Sequence, residues 1–315
     1  MYYIGIDLGG TNVAAGITDE NGTLLGKSSI PTPRGADAVA DTIAQAAQQA
    51  TAAAGLTVDQ AQSVGVASPG SIDPEQGVVE HAFNLDFDHV PLSKLIWDRL
   101  HLNTVLENDA NAAALGEFVA GAGRGAASLV AVTLGTGVGG GAVLNGKLYT
   151  GFNYAGMEVG HIVIQKGGEA CTCGRKGCFE AYSSATALIR MTRQAMLTNP
   201  KSAMWKSSPT IEAVNGRTSF ACAQRGDSAA QAVVDQYIDF LACGLTNLIN
   251  IFQPEVLCLG GGVSRQGDNL LKPLQAIIDR EDFVRDGVKR TRISIAQLGN
   301  DAGIIGAALV PLYRV

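Results

Sequence analysis

Positive charge is what this chain lacks. Its 23 Lys and Arg are outnumbered by 29 Asp and Glu, for a net charge of −6 at neutral pH. A nucleic-acid footprint needs a basic face, so no nucleic-acid partner is expected. Long apolar runs are missing too, so no membrane partner is expected. The opening MYYIGIDLGG reads as a strand and a turn. It lacks the charged start and apolar stretch of a secretion signal. A cytoplasmic protein with reduced thiols is the expectation. Cysteine is scarce, at 6 in 315 residues. Cys222, Cys243 and Cys258 stand singly among apolar neighbours, where core packing is expected. Charge is low at 17% and hydrophobic content is 46%, which suits a large core and a length comfortable for two domains. Glycine is the exception, with 39 residues, many of them concentrated in a few loops.

The other three cysteines cluster. Residues 158–180 read EVGHIVIQKGGEACTCGRKGCFE. Cys171, Cys173 and Cys178 with His161 make a complete tetrahedral shell for Zn²⁺, three thiolates and one imidazole. Four protein ligands leave no open position, which points to a structural zinc. The plainer alternative is three reduced cysteines in an irregular loop, with His161 satisfied in a core. Glu158 and Glu180 flank the cluster. If zinc folds the loop, both acids are held in place, and one nitrogen of His161 can face a ligand while the other binds metal. The alternative for Glu180 is an acid at a helix N-terminus.

Strands are expected over 2–8, 13–18 and 23–28, with Gly9-Gly10-Thr11-Asn12 as a tight turn. A Gly-rich turn offers backbone N–H groups to an anion. Asp7 ends the first strand at the same spot and suits a Mg²⁺-bound water; a turn-capping Asp is the alternative. Residues 130–146, VAVTLGTGVGGGAVLNG, repeat the plan of residues 4–22. The chain therefore reads as duplicated, one strand–turn–strand unit opening each half. Two such turns facing each other across a cleft would hold one polyphosphate.

Elsewhere, helices are expected over 36–54, 92–100, 110–119, 179–197, 228–252 and 269–278, with Asp301 capping a last one. Further strands are expected over 63–67, 103–106, 255–259 and 293–296. Ser68-Pro69-Gly70 leads into a loop that holds Asn84. Residues 198–226 read as a polar surface excursion with a short helix. Asn108 and Asp109 stand between a strand and a helix. One of them is the N-cap, or the carboxylate serves a ligand at the carboxyl end of a parallel strand. Gly260-Gly261-Gly262 ends a strand, permitting close approach by a flat ligand or simply a flexible turn.

Together these segments resemble the ROK family of sugar kinases, within the actin/hexokinase/Hsp70 superfamily. DLGGTN at 7–12, LENDANAA at 106–113, TLGTGVGGG at 133–141, EVGH at 158–161, CTCGRKGCFE at 171–180, GGGV at 260–263 and DAGIIGAA at 301–308 carry the likeness. It implies a duplicated α/β fold, actin/hexokinase-like (ribonuclease H-like), with two domains around a cleft. Those would be residues 1–120, with the last helix (about 301–315) packing back on them, and 121–300 with a zinc loop at 161–178. It implies phosphorylation of glucose by ATP with Mg²⁺, or else of another hexose or N-acetylhexosamine, and a homodimer. A sugar-sensing repressor of the family would carry an N-terminal DNA-binding module, for which the first strand leaves no expected room. In the likeness, Asp109 is the general base. Gly70, Asn84, Asn108, Asp109, Glu158, His161 and Glu180 match the sugar contacts. Asp7, Gly10, Thr11, Asn12, Thr136, Gly137, Gly261 and Gly262 match the ATP side. His161, Cys171, Cys173 and Cys178 match the zinc ligands. Many family members carry Lys where this chain has Asn12, and an amide supplies no cation.

Overall fold

A computed structural model describes residues 1–284 and 287–314. Val315, expected in the last helix, lies outside the described residues. Contacts divide the chain into two units: residues 1–131, 141–157 and 296–315, and residues 132–140 and 158–295.

In the first unit, β1 (Tyr2–Leu8), β2 (Asn12–Asp19) and β3 (Leu24–Pro31) form an antiparallel meander. Helix α1 (Ala36–Ala53) follows, built on alanine, the best helix former. Its buried Val39, Ile43, Ala46, Ala47 and Ala50 fall on one helical face. β4 (Ala61–Ser68) then pairs parallel with β1. The expected loop holding Asn84 is instead a small antiparallel sheet of β5 (Ser71–Asp73), β6 (Val78–Ala82) and β7 (Phe87–Val90). These strands are too short to show a period. They form because Val79, Ala82 and Phe87 are buried in the unit's core. α2 (Leu92–Leu100) leads to β8 (Thr104–Asn108), which joins β4 in parallel, and α3 (Asp109–Val119) follows at once. The sheet order is β3-β2-β1-β4-β8.

β9 (Leu129–Leu134), β10 (Val138–Leu144) and β11 (Lys147–Tyr149) begin the repeat. The single helix expected over 179–197 is broken into α4 (Glu180–Ser183) and α5 (Ala185–Thr198). Ser184 between them is extended, and its hydroxyl accepts from Ala187 N at 3.0 Å, a side-chain cap that starts a new helix. The 198–226 stretch is more than a surface excursion. It carries α6 (Met204–Ser207) and α7 (Thr218–Ala223), with Met204, Val214 and Cys222 buried against Met196 and Ala230. Next come α8 (Ser228–Phe252), β12 (Val256–Gly260), α9 (Gly261–Ser264), α10 (Asp268–Glu281) and β13 (Arg292–Ile295). Cys222 and Cys258 are core residues as expected, whereas Cys243 is only half-buried. The second sheet runs β11-β10-β9-β12-β13. Element for element, this is the order of the first sheet, so the fold is a duplicated actin/hexokinase-like α/β fold.

Last comes α11 (Ala302–Tyr313), which lies with the first unit. Asp301 makes no side-chain cap; its carboxylate pairs with Lys27 at 3.2 Å instead. The helix lies backbone-to-backbone on its neighbours. A Cβ on Gly65 of β4 would overlap the Ala307 carbonyl, and one on Gly306 would overlap the Ala112 carbonyl of α3. This contact holds α3 in place, with Asp109 at its start. Among the described residues, no helix is long and apolar enough to cross a membrane.

Candidate functional site

In the first unit the chain brings two carboxylates together. Asp7 ends β1 as expected. Burial, reinforced by the charge of Asp109, pushes its carboxyl up to about 6. Asp109 is raised as well, chiefly by burial. The residue as a whole is nevertheless exposed. No cation among the described residues offsets either charge. The choice between Asn108 and Asp109 is resolved in part. Asn108 is the N-cap of α3, its Oδ1 accepting from Ala110 N at 2.9 Å and Asn111 N at 3.2 Å. The helix end therefore does not depend on the Asp109 carboxylate, although Asp109 Oδ1 accepts a 2.8 Å bond from Ala110 N.

Beneath this corner lies a network that the sequence did not reveal. Glu107 is 2% exposed, a charge that cannot stay buried without a partner. Its Oε1 accepts from Asn108 N at 2.9 Å and from Asn111 Nδ2 at 3.0 Å. Its Oε2 takes Arg314 Nη2 at 2.7 Å. Arg314 also lies over the Tyr154 ring, 5.6 Å from its centroid. A lone arginine near the chain end gives no local signal of such a pairing. The acid at 107, beside the buried Leu106, is the only local hint.

The other first-unit candidates lie on turns. Gly10, Thr11 and Asn12 are exposed at the tip of the one after β1. Asn84 is exposed on the turn Phe83–Leu85, and its carbonyl lies 3.3 Å from where a Gly10 Cβ would stand. Gly70 has φ 91° in the turn after β4, where a Cβ would overlap the His81 carbonyl. Glycine is required there for space as well as conformation.

In the second unit the turn between β9 and β10 presents Thr136 and Gly137. Glu180 opens α4, yet its oxygens do more than favour a helix dipole. Oε2 accepts from Val138 N at 3.0 Å, and Oε1 accepts from Thr172 Oγ1 at 3.3 Å. Glu180 thus ties the Gly-rich turn to the cysteine loop. Glu158 is exposed at the start of the turn Val159–His161, and its carbonyl accepts from His161 N at 3.0 Å. Gly160 in that turn packs on the Val138 carbonyl, with no room for a Cβ. Gly261, at φ 83°, crowds the Leu134 carbonyl, whereas Gly262 faces open space.

His161, Cys171, Cys173 and Cys178 converge, their ligand atoms all within 4.8 Å of one another. Cys171 Sγ lies 3.7 Å from His161 Nδ1, and Cys173 Sγ 3.7 Å from Cys178 Sγ. Zn–S bonds of about 2.3 Å and Zn–N bonds of about 2.0 Å at tetrahedral angles put ligand atoms about 3.5–3.8 Å apart. The residues present therefore fit zinc. Without a metal, burial and the adjacent thiols push Cys178 up to about 12, so a cation is needed for this set to ionise together. His161 turns Nδ1 toward the thiols, which leaves Nε2 for another partner.

The fold and these sites define an α/β protein of the actin/hexokinase-like class. The ROK family model matches residues 3–312, and the chain belongs to the ROK family. It is similar to a glucokinase of Thermotoga maritima, 39% identical over 99% of this chain and 98% of that one. It is also similar to a glucokinase of Streptomyces coelicolor, 34% identical over 97% and 96%. Among solved structures, a ROK family glucokinase from Streptomyces griseus in complex with glucose and AMPPNP matches with TM-score 0.78. That protein is 34% identical, with 98% of each chain covered. A ROK hexokinase from Thermus thermophilus matches with TM-score 0.81 at 34% identity, covering 98% of this chain and 97% of that one.

Proposed function

We propose that the protein transfers the γ-phosphoryl group of Mg-ATP to the 6-hydroxyl of a hexose, with glucose as the first candidate. The observation that carries this reading is the Asp7–Asp109 pair. The Asp109 charge lies close enough to raise Asp7, and among the described residues no cation offsets either carboxylate. Such a pair suits a metal-bearing substrate and a hydroxyl that must lose a proton. Full-length likeness to glucokinases supports the choice of sugar.

In this reading Asp109 takes the proton from the attacking hydroxyl. A general base of this kind contributes about 10²- to 10⁴-fold. Burial raises its carboxyl, which makes it a stronger base than a free aspartate. Asn84, Asn108, Glu158, His161 and Glu180 bind sugar hydroxyls, with Gly70 shaping the turn nearby. Amides and an imidazole beside carboxylates supply both donors and acceptors. The turns at Gly10–Asn12 and Thr136–Gly137 hold phosphate oxygens through backbone N–H groups, and Asp7 holds a water of the nucleotide's Mg²⁺. Gly261 and Gly262 admit the adenosine. Zinc, when bound, cross-braces the loop 161–178. The chain's own contribution there is to fix His161, whose carbonyl accepts from Arg175 Nη1 at 3.1 Å.

The test is sugar-dependent ADP release with Mg-ATP over glucose, mannose, fructose, N-acetylglucosamine and N-acetylmannosamine, repeated with polyphosphate as donor. A strong preference for glucose is expected. Preference for an N-acetyl sugar would move the substrate and keep the residue roles. Silence with every sugar and both donors would overturn the reading. A homodimer is part of the same proposal, and light scattering on the purified protein reads it directly.

A further inference from the structure

In both Gly-rich turns protein donors take carbonyls of the turn, and one of those donors is a threonine hydroxyl. In the first turn Gly9 N donates to Asn12 O at 3.0 Å, and Thr32 N to Thr11 O at 2.9 Å. The Thr32 hydroxyl donates to Gly9 O at 2.7 Å. In the second turn Gly135 N donates to Gly137 O at 3.0 Å, and Ala185 N to Gly135 O at 2.8 Å. The Thr186 hydroxyl donates to Thr136 O at 2.7 Å. The amides of Gly10, Thr11, Thr136 and Gly137 have no protein acceptor among the described residues.

Peptide planarity gives this pattern a direction. In a trans peptide the carbonyl of one residue and the N–H of the next point opposite ways. Holding Gly9 O inward turns Gly10 N–H outward. Holding Thr136 O inward turns Gly137 N–H outward. Glycine-rich backbone does not choose these orientations unaided, because either peptide face is accessible to it. Thr186 is exposed and Thr32 only half-buried. A hydroxyl so placed is free to turn to water, yet each sits on a turn carbonyl.

We propose that Thr32 and Thr186 are positioning residues for the phosphates of the nucleotide, each fixing one outward amide of its turn, that of Gly10 and that of Gly137. The inference rests on the proposed phosphotransfer and assigns two side chains outside the sugar, nucleotide and zinc sets above. Neither threonine touches the reacting atoms. Each acts through the peptide that it clamps.

The experiment uses Thr32→Val and Thr186→Val, which keep the shape and remove the hydroxyl, with Thr→Ser at each position to keep the hydroxyl. Thr→Ala replaces Val wherever thermal unfolding shows that Val disturbs the fold. Mg-ADP binding is measured by calorimetry, and KM is measured separately for ATP and sugar. Loss of one hydrogen bond predicts nucleotide affinity about three- to tenfold weaker in each Val variant. Ser restores it, and KM for sugar moves less than about twofold. The two losses multiply in the double variant, because the clamps lie in separate turns with no shared partner. Folded Val variants with unchanged ADP affinity would overturn the inference. So would Ser variants no better than Val, or equal losses for sugar and nucleotide. These results leave the phosphotransfer reading standing. A native protein that binds no ADP and phosphorylates no sugar removes that reading and this inference with it.

Discussion

Replacing Asp7 with Asn should stabilise the protein at neutral pH and do nothing at pH 4. The Asp7 carboxyl lies at about 6 in the fold, against an ordinary 3.8. Its pKa is raised on folding, so between these values the native state holds a proton that the unfolded chain has lost. Stability is therefore fully present below about pH 4, falls as pH rises toward 6, and is level above that. At 1.36 kcal/mol per pH unit the loss is at most roughly 3 kcal/mol. Solvent screening of a partly buried carboxyl lowers it, so about 1–3 kcal/mol is the working range. Asn carries no such penalty, and Asp7 has no hydrogen-bond donor among the described residues to lose. The assay is thermal unfolding of wild type and Asp7→Asn in metal-free buffer from pH 4 to 8. The variant should unfold several degrees higher at pH 7.5 and at the same temperature at pH 4. Adding Mg-ADP should narrow the gap at pH 7.5, since only the wild type offers a carboxylate. A variant less stable at pH 7.5, or an offset independent of pH, would refute the argument that Asp7 is held against its own ionisation.

Asp109→Asn should lower kcat by about 10²- to 10⁴-fold while calorimetric glucose affinity changes little; comparable loss of both would assign Asp109 to structure. Cys173→Ser should lose zinc by elemental analysis and raise KM for sugar. A zinc-free variant with normal kinetics would remove the bracing role of the loop. Arg314→Ala leaves Glu107 buried and unpaired, which costs about 3–5 kcal/mol. The double variant Glu107→Gln/Arg314→Met should recover part of that in denaturant unfolding, and equal losses in the two would show that the ion pair is not the cause.

Legibility followed local chemistry. The strands at 2–8 and 12–19, the alanine helix and the Gly-rich turns were readable because their patterns are local and periodic. The repeat was readable because both copies run from an apolar strand through Gly and Thr into a second strand and an Asn-Gly turn. The zinc cluster was readable because its ligands lie within 18 residues of one another in sequence. The small sheet over 71–90 was missed because its strands are three to five residues long. The break at Ser184 was hidden by apolar spacing that runs across it. Arg314 pairs with Glu107 over 207 residues of chain, and no window reads that far. Asn108 shows a limit of another kind. Its alternatives, cap and ligand contact, were both chemically sound, and only geometry assigned its oxygen to the helix.

The duplication sharpens that limit. The two turns share a plan that the sequence displays, yet their supports share no sequence. Thr32 comes from the residue after β3, and Thr186 from the first turn of α5. Val138 N is taken by Glu180, whereas the corresponding Asn12 begins a strand edge paired to Pro31. Glycine allows both turns to form but does not dictate which way their amides face. That orientation is supplied by whichever hydroxyl reaches the outer carbonyl. Gly-rich turns are therefore weak predictors of phosphate binding by themselves. A stronger criterion is a turn whose carbonyls are all taken by protein donors, since only then is the opposite face left as N–H. The Gly135–Gly137 turn meets it at every carbonyl, and the Gly9–Asn12 turn at all but that of Gly10, through different residues in each half.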